Sequence, residues 1–208
     1  MLAEGLLNTI LITIGALIIG ILIGTLITFI KDLAEENPGL RFLSRLCDAY
    51  VTAIRGIPVV VLLLIFYFII MRSSTNGVLV AIITFGINSG AYMAELIRSG
   101  INAVDAGQTE ASRCLGLSRM QTMARIILPQ AVRYVLPAMG NEFIALLKET
   151  SVAGYVAVVD LTRAGNLVRN NTHDAINPLM VVALTYLVMV ICLTGLLRKL
   201  EQRLARAH

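Results

Sequence analysis

Long apolar runs alternate with short polar segments along the whole chain. Residues 6–30 contain no charged side chain, and a helix needs roughly 20 apolar residues to cross the hydrocarbon core of a bilayer. Four further apolar runs follow, so the pattern predicts an all-α, polytopic membrane protein with five transmembrane helices in a single domain, residues 1–208. The predicted spans are 6–30, 46–71, 78–97, 135–159 and 178–197.

Glycine and proline mark special positions in the first two spans. Gly20 and Gly24 are four residues apart and either allow another helix to approach closely or are ordinary glycines of a membrane helix. Pro58, which follows Arg55 and Gly56 near the start of the second span, removes one backbone hydrogen bond and is expected to kink that helix.

The longest polar interruption covers about residues 99–134 and predicts two helices separated by a turn. Asp105 is the expected N-cap of the first helix, and Gly116 suits the left-handed residue that ends it. Ser118 and Gln121 have the spacing of a capping box, which restarts the chain as a second helix that Pro129 ends or kinks. The segment is therefore predicted to be a compact loop to which a partner outside the membrane can bind.

Composition and charge support a membrane protein over a soluble one. The chain is 57% hydrophobic and only 14% charged, whereas about 25% charged residues is typical of soluble domains. Its net charge of +4 is compatible with nucleic-acid binding, but in a membrane chain basic residues mark the cytoplasmic side. The 3 cysteines are scattered without metal-ligand spacing, so we interpret them as free thiols.

The basic residues divide unequally between the two sides of the five predicted spans. Thirteen of the 17 Lys and Arg residues lie on the side of the 99–134 loop and the C-terminal tail, three lie on the opposite side, and Lys148 is inside a span. The positive-inside rule therefore predicts an external N-terminus, a cytoplasmic C-terminus and a cytoplasmic loop.

The third span carries polar residues in a helical pattern. Asn88, Tyr92 and Glu95 are spaced to share one face, and Ser89 is adjacent. Such a face avoids lipid, so it either lines a solvated path or supplies hydrogen bonds between helices. Glu95 is also placed to pair with Arg98, three residues on.

The fourth predicted span contains charged residues far from its ends. Lys148 lies roughly 20 Å along the helix from residue 135 and needs an acid such as Glu149, Glu142 or one from another chain. Thr150 and Ser151 extend this polar patch. It either contacts a ligand or forms a charge pair that fixes helix packing, and we favour the ligand role.

The loop carries a motif that resembles the EAA signature of ABC importer permeases. Glu110-Ala111-Ser112, three residues, Gly116, nine residues and Ile126-Ile127-Leu128-Pro129 follow the family order, with Ser in place of the second Ala. Further matches resemble the polar amino-acid branch, although Ile57 stands where that branch has Thr. They are Arg55-Gly56-Ile57-Pro58, Gly90-Ala91-Tyr92 with Ala94-Glu95 and Arg98, Gly107-Gln108, Pro129-Gln130 and Lys148-Glu149-Thr150-Ser151.

The resemblance implies a type I ABC importer permease fold in the bacterial inner membrane. The chain would be a transport subunit, not an enzyme, with ATP and Mg bound by a separate cytoplasmic ATPase dimer, because no P-loop sequence is present. It would bind no cofactor itself. A second permease subunit, identical or related, and an external amino-acid-binding protein would complete the importer of polar amino acids.

The sequence assigns residues to two functions. The resemblance implies that the ATPase-coupling residues are Glu110, Ala111, Ser112, Gly116 and Leu117. The expected substrate path is Asn88, Ser89, Tyr92, Glu95, Lys148, Glu149, Thr150, Ser151 and Asp160.

Three alternative functions are consistent with parts of the sequence. A permease of the same superfamily for another small solute differs only in its ligand. A secondary transporter usually shows repeated halves, and the five spans show none. A membrane-anchored helix-turn-helix protein would use Arg113, Arg119 and Arg125, but both loop helices are tied closely to membrane spans.

Overall fold

The described part of the chain is helical and contains no strand, which confirms the all-α prediction. A computed structural model describes residues 1–206, apart from the side chains at 36 and 204–206. Its α-helices are α1 (Leu2–Glu36), α2 (Arg41–Gly56), α3 (Val59–Ile65), α4 (Gly77–Asn102), α5 (Ala106–Cys114), α6 (Arg119–Thr122), α7 (Leu128–Glu149), α8 (Leu161–Thr172) and α9 (Asn177–Arg206). Shorter 3₁₀ and π segments occupy Pro38–Leu40, Phe66–Ile70, Met123–Ile127 and Thr150–Val156.

Three helices within the described residues are long and apolar enough to cross a membrane: α1, α4 and α9. A fourth candidate is a bent pair that joins the 38–56 and 59–70 segments at an angle of 107°. Because α7 is not in this set, the structure supports three to four apolar spans and does not confirm the predicted count of five.

The predicted second span, 46–71, is not one continuous helix. α2 ends at Gly56, Ile57 is extended with φ −100° and ψ 129°, and α3 begins at Val59. The ring of Pro58 disfavours the helical conformation at the residue before it, which gives the break its local cause. The kink expected at Pro58 is therefore a sharp turn between two separate helices.

The chain after α7 also differs from the sequence prediction. The predicted fourth span, 135–159, corresponds to α7, which ends at Glu149 and continues as the 3₁₀ helix Thr150–Val156. Residues 160–177, which lie between the fourth and fifth predicted spans, are not an irregular connection, because Leu161–Thr172 forms α8. Leu161 and Ala164 are buried on one face of α8, and this helix packs against α1 and α9. Packing of this narrow apolar face stabilises a helix that is otherwise polar.

Close contact between α1 and α4 organises the spans. A Cβ atom added to Gly20 would lie 2.8 Å from Ser89 Oγ, and one added to Gly24 would lie 2.5 Å from Met93 Cβ. From the other side, a Cβ on Gly86 would lie 2.6 Å from Ile19 Cβ. Glycines on both helices therefore allow the close approach that was one of two explanations for Gly20 and Gly24.

α4 is the central helix and α9 the peripheral one. α4 packs against α1, α2, α3 and α7, and most of its apolar stretch is buried. The main core joins α1, α3, α4, α7 and the 3₁₀ turn after α7 through buried apolar side chains that include Phe85, Leu63 and Leu146. Only 6% of the apolar stretch of α9 is buried in the single chain, so its exposed part is available to lipid or to another membrane helix.

Candidate functional site

The loop between α4 and α7 begins with a short capped helix, α5. The Asp105 carboxylate accepts a hydrogen bond from the Gly107 amide at 2.8 Å, which confirms the predicted N-cap. At the other end Gly116 has φ 80°, the Leu117 amide donates to the Ser112 carbonyl and the Gly116 amide donates to the Arg113 carbonyl. These two bonds form a Schellman motif, which ends α5 at the predicted glycine.

The second loop helix starts at the predicted capping box. The Gln121 amide donates to Ser118 Oγ at 3.3 Å, and the Ser118 amide donates to Gln121 Oε1 at 2.9 Å. Pro129 does not end this helix, contrary to one of the two expectations. The helix changes to π-type bonding over Met123–Ile127 and then continues as α7. The backbone of α6 therefore runs without a break into a long helix.

α5 presents an exposed surface on the loop. Glu110 and Ala111 are exposed, and Leu115 is 82% exposed. Ser112 points inward, is buried, and donates from Oγ to the Gln108 carbonyl at 2.6 Å. The small residue at the third motif position therefore packs against the protein, while its neighbours and an apolar Leu side chain are left for a partner.

A second polar cluster lies between α4 and α7. Asn88 and Ser89 are buried on α4, and Glu149 and Glu142 on α7 face them. The Asn88 amide nitrogen lies 3.5 Å from Glu149 Oε2, and Ser89 Oγ lies 3.4 Å from Glu142 Oε1. Both distances are at the long end for hydrogen bonds, so these four groups retain capacity for another polar partner.

Tyr92 and Glu95 extend the same helix toward α2. Arg55 lies over the Tyr92 ring, 5.2 Å from its centre, and its Nη1 atom is 4.0 Å from Glu95 Oε2. The observed ion pair of Glu95 is therefore with Arg55 across helices and not with Arg98. These groups line an open cavity that also includes Asp48 and Thr52.

The remaining predicted residues do not all join this cluster. Lys148 is exposed in the single chain, close to the end of α7. Thr150 is buried and donates from Oγ1 to the Leu147 carbonyl at 2.7 Å, a local helix-end contact. Ser151 lines a separate cavity of about 560 Å³ with Tyr155 and Arg163.

Asp160 is fully buried and caps α8. Its two carboxylate oxygens accept hydrogen bonds from the Thr162 amide at 2.9 Å and the Arg163 amide at 3.1 Å. These bonds satisfy the first free amides of the helix. The structure thus supplies a local role for a residue that the sequence analysis assigned to the substrate path.

Two substitutions at Asp160 distinguish capping of α8 from binding of substrate. Asp160→Asn keeps an oxygen that can cap α8 and is expected to leave uptake unchanged, whereas Asp160→Ala is expected to destabilise the protein by about 1 kcal/mol. Thermal unfolding in detergent and uptake by the assembled transporter measure the two effects. Loss of uptake in Asp160→Asn at normal stability would instead assign the negative charge to ligand binding.

Two contacts were absent from the predicted site. Glu142 was considered only as a partner for Lys148, yet it lies two helical turns before Glu149 and shares its face, a signal that the sequence contains. Arg119 pairs with Asp32 and Glu35, more than 80 positions earlier. No local pattern marks a contact at that separation.

Comparisons with known proteins agree with the geometry. The chain is 34% identical over 204 residues, covering 97% of it and 91% of the relative, to the putative glutamine transport system permease protein GlnP of Rickettsia bellii (strain RML369-C). It is 32% identical, with the same coverage, to the arginine transport system permease protein ArtQ of Bacillus subtilis (strain 168). A crystal structure of an amino acid ABC transporter with histidines matches with a TM-score of 0.89 at 35% identity, covering 97% of this chain and 93% of that one.

The fold and the exposed loop together define a helical membrane protein of the transport permease class. The model of one family, binding-protein-dependent transport system inner membrane component, matches residues 20–206. The chain belongs to this family, and the resemblance derived from the loop motif is confirmed.

Proposed function

We propose that this chain is the permease subunit of an ATP-driven, binding-protein-dependent importer of polar amino acids. The observation that carries the proposal is the loop itself: α5 is capped at both ends, ends in a left-handed glycine and presents Glu110, Ala111 and Leu115 to solvent. Such a rigid, exposed helix suits docking into a cleft of a separate ATPase. The names of two relatives, which specify glutamine and arginine transport, support amino acids as the substrate class.

The coupling residues have distinct roles in this proposal. Glu110 and Ala111 contact the ATPase, Ser112 fixes the inner face of α5, and Gly116 with Leu117 sets the turn into α6. Because α6 continues through the π segment into α7, movement of the docked loop would tilt α7 relative to α4. Both helices carry the polar cluster, so the loop and the substrate path would move together.

The polar cluster is the proposed half-path for substrate. Glu142 and Glu149 offer acceptors for an ammonium group, and Asn88 and Ser89 offer both donors and acceptors. The three or four apolar spans found within residues 1–206 are too few to enclose a gated path. The exposed apolar face of α9 is suited to a membrane neighbour. A second permease subunit, identical or related, would complete the path, and an external binding protein would deliver the amino acid.

The proposed orientation places the N-terminus outside and the C-terminus inside the bacterial inner membrane. The excess of Lys and Arg on the loop side supports it. The DNA-binding alternative is disfavoured because α6, the candidate recognition helix, is four residues long and runs directly into the helical path of α7. A permease for another small solute remains the alternative that differs only in ligand.

An affinity purification tests the assembly. The tagged chain is extracted from its native membrane in mild detergent, and the bound proteins are identified by mass spectrometry. Recovery of an ATPase alone supports a homodimer, and recovery of an ATPase with a second permease supports a heterodimer. Absence of any ATPase after crosslinking at the loop contradicts the proposal.

Alanine at Asn88 tests the substrate path. Loss of one buried polar contact corresponds to about 1 kcal/mol, so uptake at low substrate concentration is expected to fall about fivefold with normal assembly. Thr84→Val is a matched control, because Thr84 is buried one turn earlier on α4 and donates only to the Val80 carbonyl in its own helix. Unchanged uptake kinetics in Asn88→Ala would reject the assignment.

A further inference from the structure

Arg119 forms ion pairs that link the loop to the C-terminal end of α1. Its Nη2 atom lies 2.7 Å from Asp32 Oδ1, 2.7 Å from Glu35 Oε2 and 3.2 Å from the Asp32 carbonyl oxygen. We call Arg119, Asp32 and Glu35 the Arg119 clamp. It is a contact between two segments that the chain connects only through α2, α3, α4 and α5.

Local structure positions each member of the clamp. The capping box at Ser118 makes Arg119 the first residue of α6, so its backbone is fixed relative to the turn at Gly116. Asp32 and Glu35 are three residues apart and lie on one face of α1. Both belong to the C-terminal part of that helix, where a cation is favoured by the helix dipole.

The clamp differs from an ordinary surface ion pair. The side chains of Arg119 and Asp32 are 25% and 23% exposed, whereas that of Glu35 is 70% exposed. The partly buried pair is therefore Arg119 with Asp32, and the same guanidinium nitrogen also lies near Glu35. Exposed pairs contribute little because water competes for them, and partial burial reduces that competition. A cavity of about 480 Å³ lies beside the clamp between α1 and the loop helices, so this link crosses a gap where the backbones do not pack tightly.

α1 is in turn joined to the helices that hold the polar cluster. The glycine contacts at Gly20 and Gly24 leave no room for a methyl group between α1 and α4. Lys31, adjacent to Asp32, pairs with Asp48 on α2. A displacement of the loop that reaches Asp32 is therefore passed to α1 and α2, and through α1 to the middle of α4, in addition to the covalent connections of the loop to the end of α4 and to α7.

We infer that the Arg119 clamp attaches the coupling loop to α1, in addition to its covalent ends at α4 and α7, and that it makes α1 move with the loop during transport. This inference rests on the proposed function, because it requires a partner that moves the loop. Arg119, Asp32 and Glu35 are positioning residues in it: they transmit displacement and do not contact substrate or nucleotide. Loss of the clamp would leave ATP hydrolysis intact while less of the loop movement reaches the α1–α4 pair.

Charge reversal in proteoliposomes tests the clamp. The complete transporter with Arg119→Asp is expected to show a roughly fivefold to tenfold rise in ATP hydrolysed per substrate imported, in the range typical of coupling between two sites. Asp32→Arg should have the same effect. The double variant, Arg119→Asp with Asp32→Arg, again places opposite charges together and should bring the ratio most of the way back to that of the unaltered transporter. Arg125→Asp is the matched control, since Arg125 is exposed in the adjacent π segment and none of the described ion pairs involves it. An unchanged ratio in Arg119→Asp, an equal rise in Arg125→Asp or no recovery in the double variant overturns the inference.

A distance measurement distinguishes a clamp that transmits movement of the loop to α1 from one that only stabilises the folded protein. In a background without Cys47, Cys114 and Cys192, spin labels at Asn37 and Met120, both exposed, report the separation of the α1 end from α6. The mean distance between the labels is expected to be the same in the nucleotide-free and ATP-bound transporter. In Arg119→Asp the distribution of distances is expected to broaden. A change of several ångströms in the otherwise unaltered chain would show that the clamp opens, against the inference. Failure of the unaltered chain to bind an ATPase would instead contradict the proposed function.

Discussion

Valine at position 116 is expected to reduce coupled transport about tenfold or further while the chain still inserts in the membrane. Gly116 has φ 80°, and a Cβ added there would meet no atom within 4 Å. The penalty is therefore one of backbone conformation and not of space. The left-handed region costs an ordinary residue about 1–2 kcal/mol and a β-branched residue more, which reduces the population of the native turn about tenfold or further.

Asparagine at the same position provides the internal comparison. Asn tolerates the left-handed conformation far better than Val does, so Gly116→Asn should retain most of the transport and most of the ATPase binding. Gly195→Val is the control for volume, because Gly195 lies in α9 with no atom within 4 Å of an added Cβ and no positive φ. Substrate-stimulated ATP hydrolysis and uptake are measured for all three. Equal activity of Gly116→Val and Gly116→Asn would show that the turn does not depend on its left-handed residue.

The loop was predictable because its structure depends on local hydrogen bonds. Asp105, Gly116 and the Ser118–Gln121 pair each act within a few residues of sequence, so their spacing carries the geometry. The pairing of Glu142 with Ser89 depends on how α4 and α7 pack, and that arrangement cannot be read from either helix alone.

The membrane spans were predicted less accurately, for a different physical reason. Hydropathy locates apolar runs but does not say whether a run remains one helix. At Pro58 the backbone turns sharply inside a predicted span, and after Glu149 the helix changes to 3₁₀ bonding inside another predicted span. Conversely, α8 is polar enough to resemble a loop, although the burial of Leu161 and Ala164 holds it as a helix.

Alanine at Gly24 is expected to destabilise the protein by forcing α1 away from α4. An added Cβ would lie 2.5 Å from Met93 Cβ and 2.8 Å from the Ala94 amide nitrogen. The second contact is with the backbone of α4, which cannot rotate away as a side chain can, so the two helices must separate. Overpacking of this kind typically costs about 1–3 kcal/mol.

Gly24→Ala is expected to lower stability, whereas alanine at an unrestricted helical glycine raises it or leaves it unchanged. In an unrestricted helix, replacing glycine by alanine stabilises by about 1 kcal/mol, and Gly195→Ala, with no atom within 4 Å of the added Cβ, should follow that trend or be neutral. Gly24→Ala should instead lower the unfolding temperature in detergent and the yield of monodisperse protein, because the close contact that lets α1 and α4 move as one body is lost. Equal stability of the two variants would mean that α1 does not pack on α4 through Gly24, and the route from the Arg119 clamp to the polar cluster on α4 would lose its physical basis.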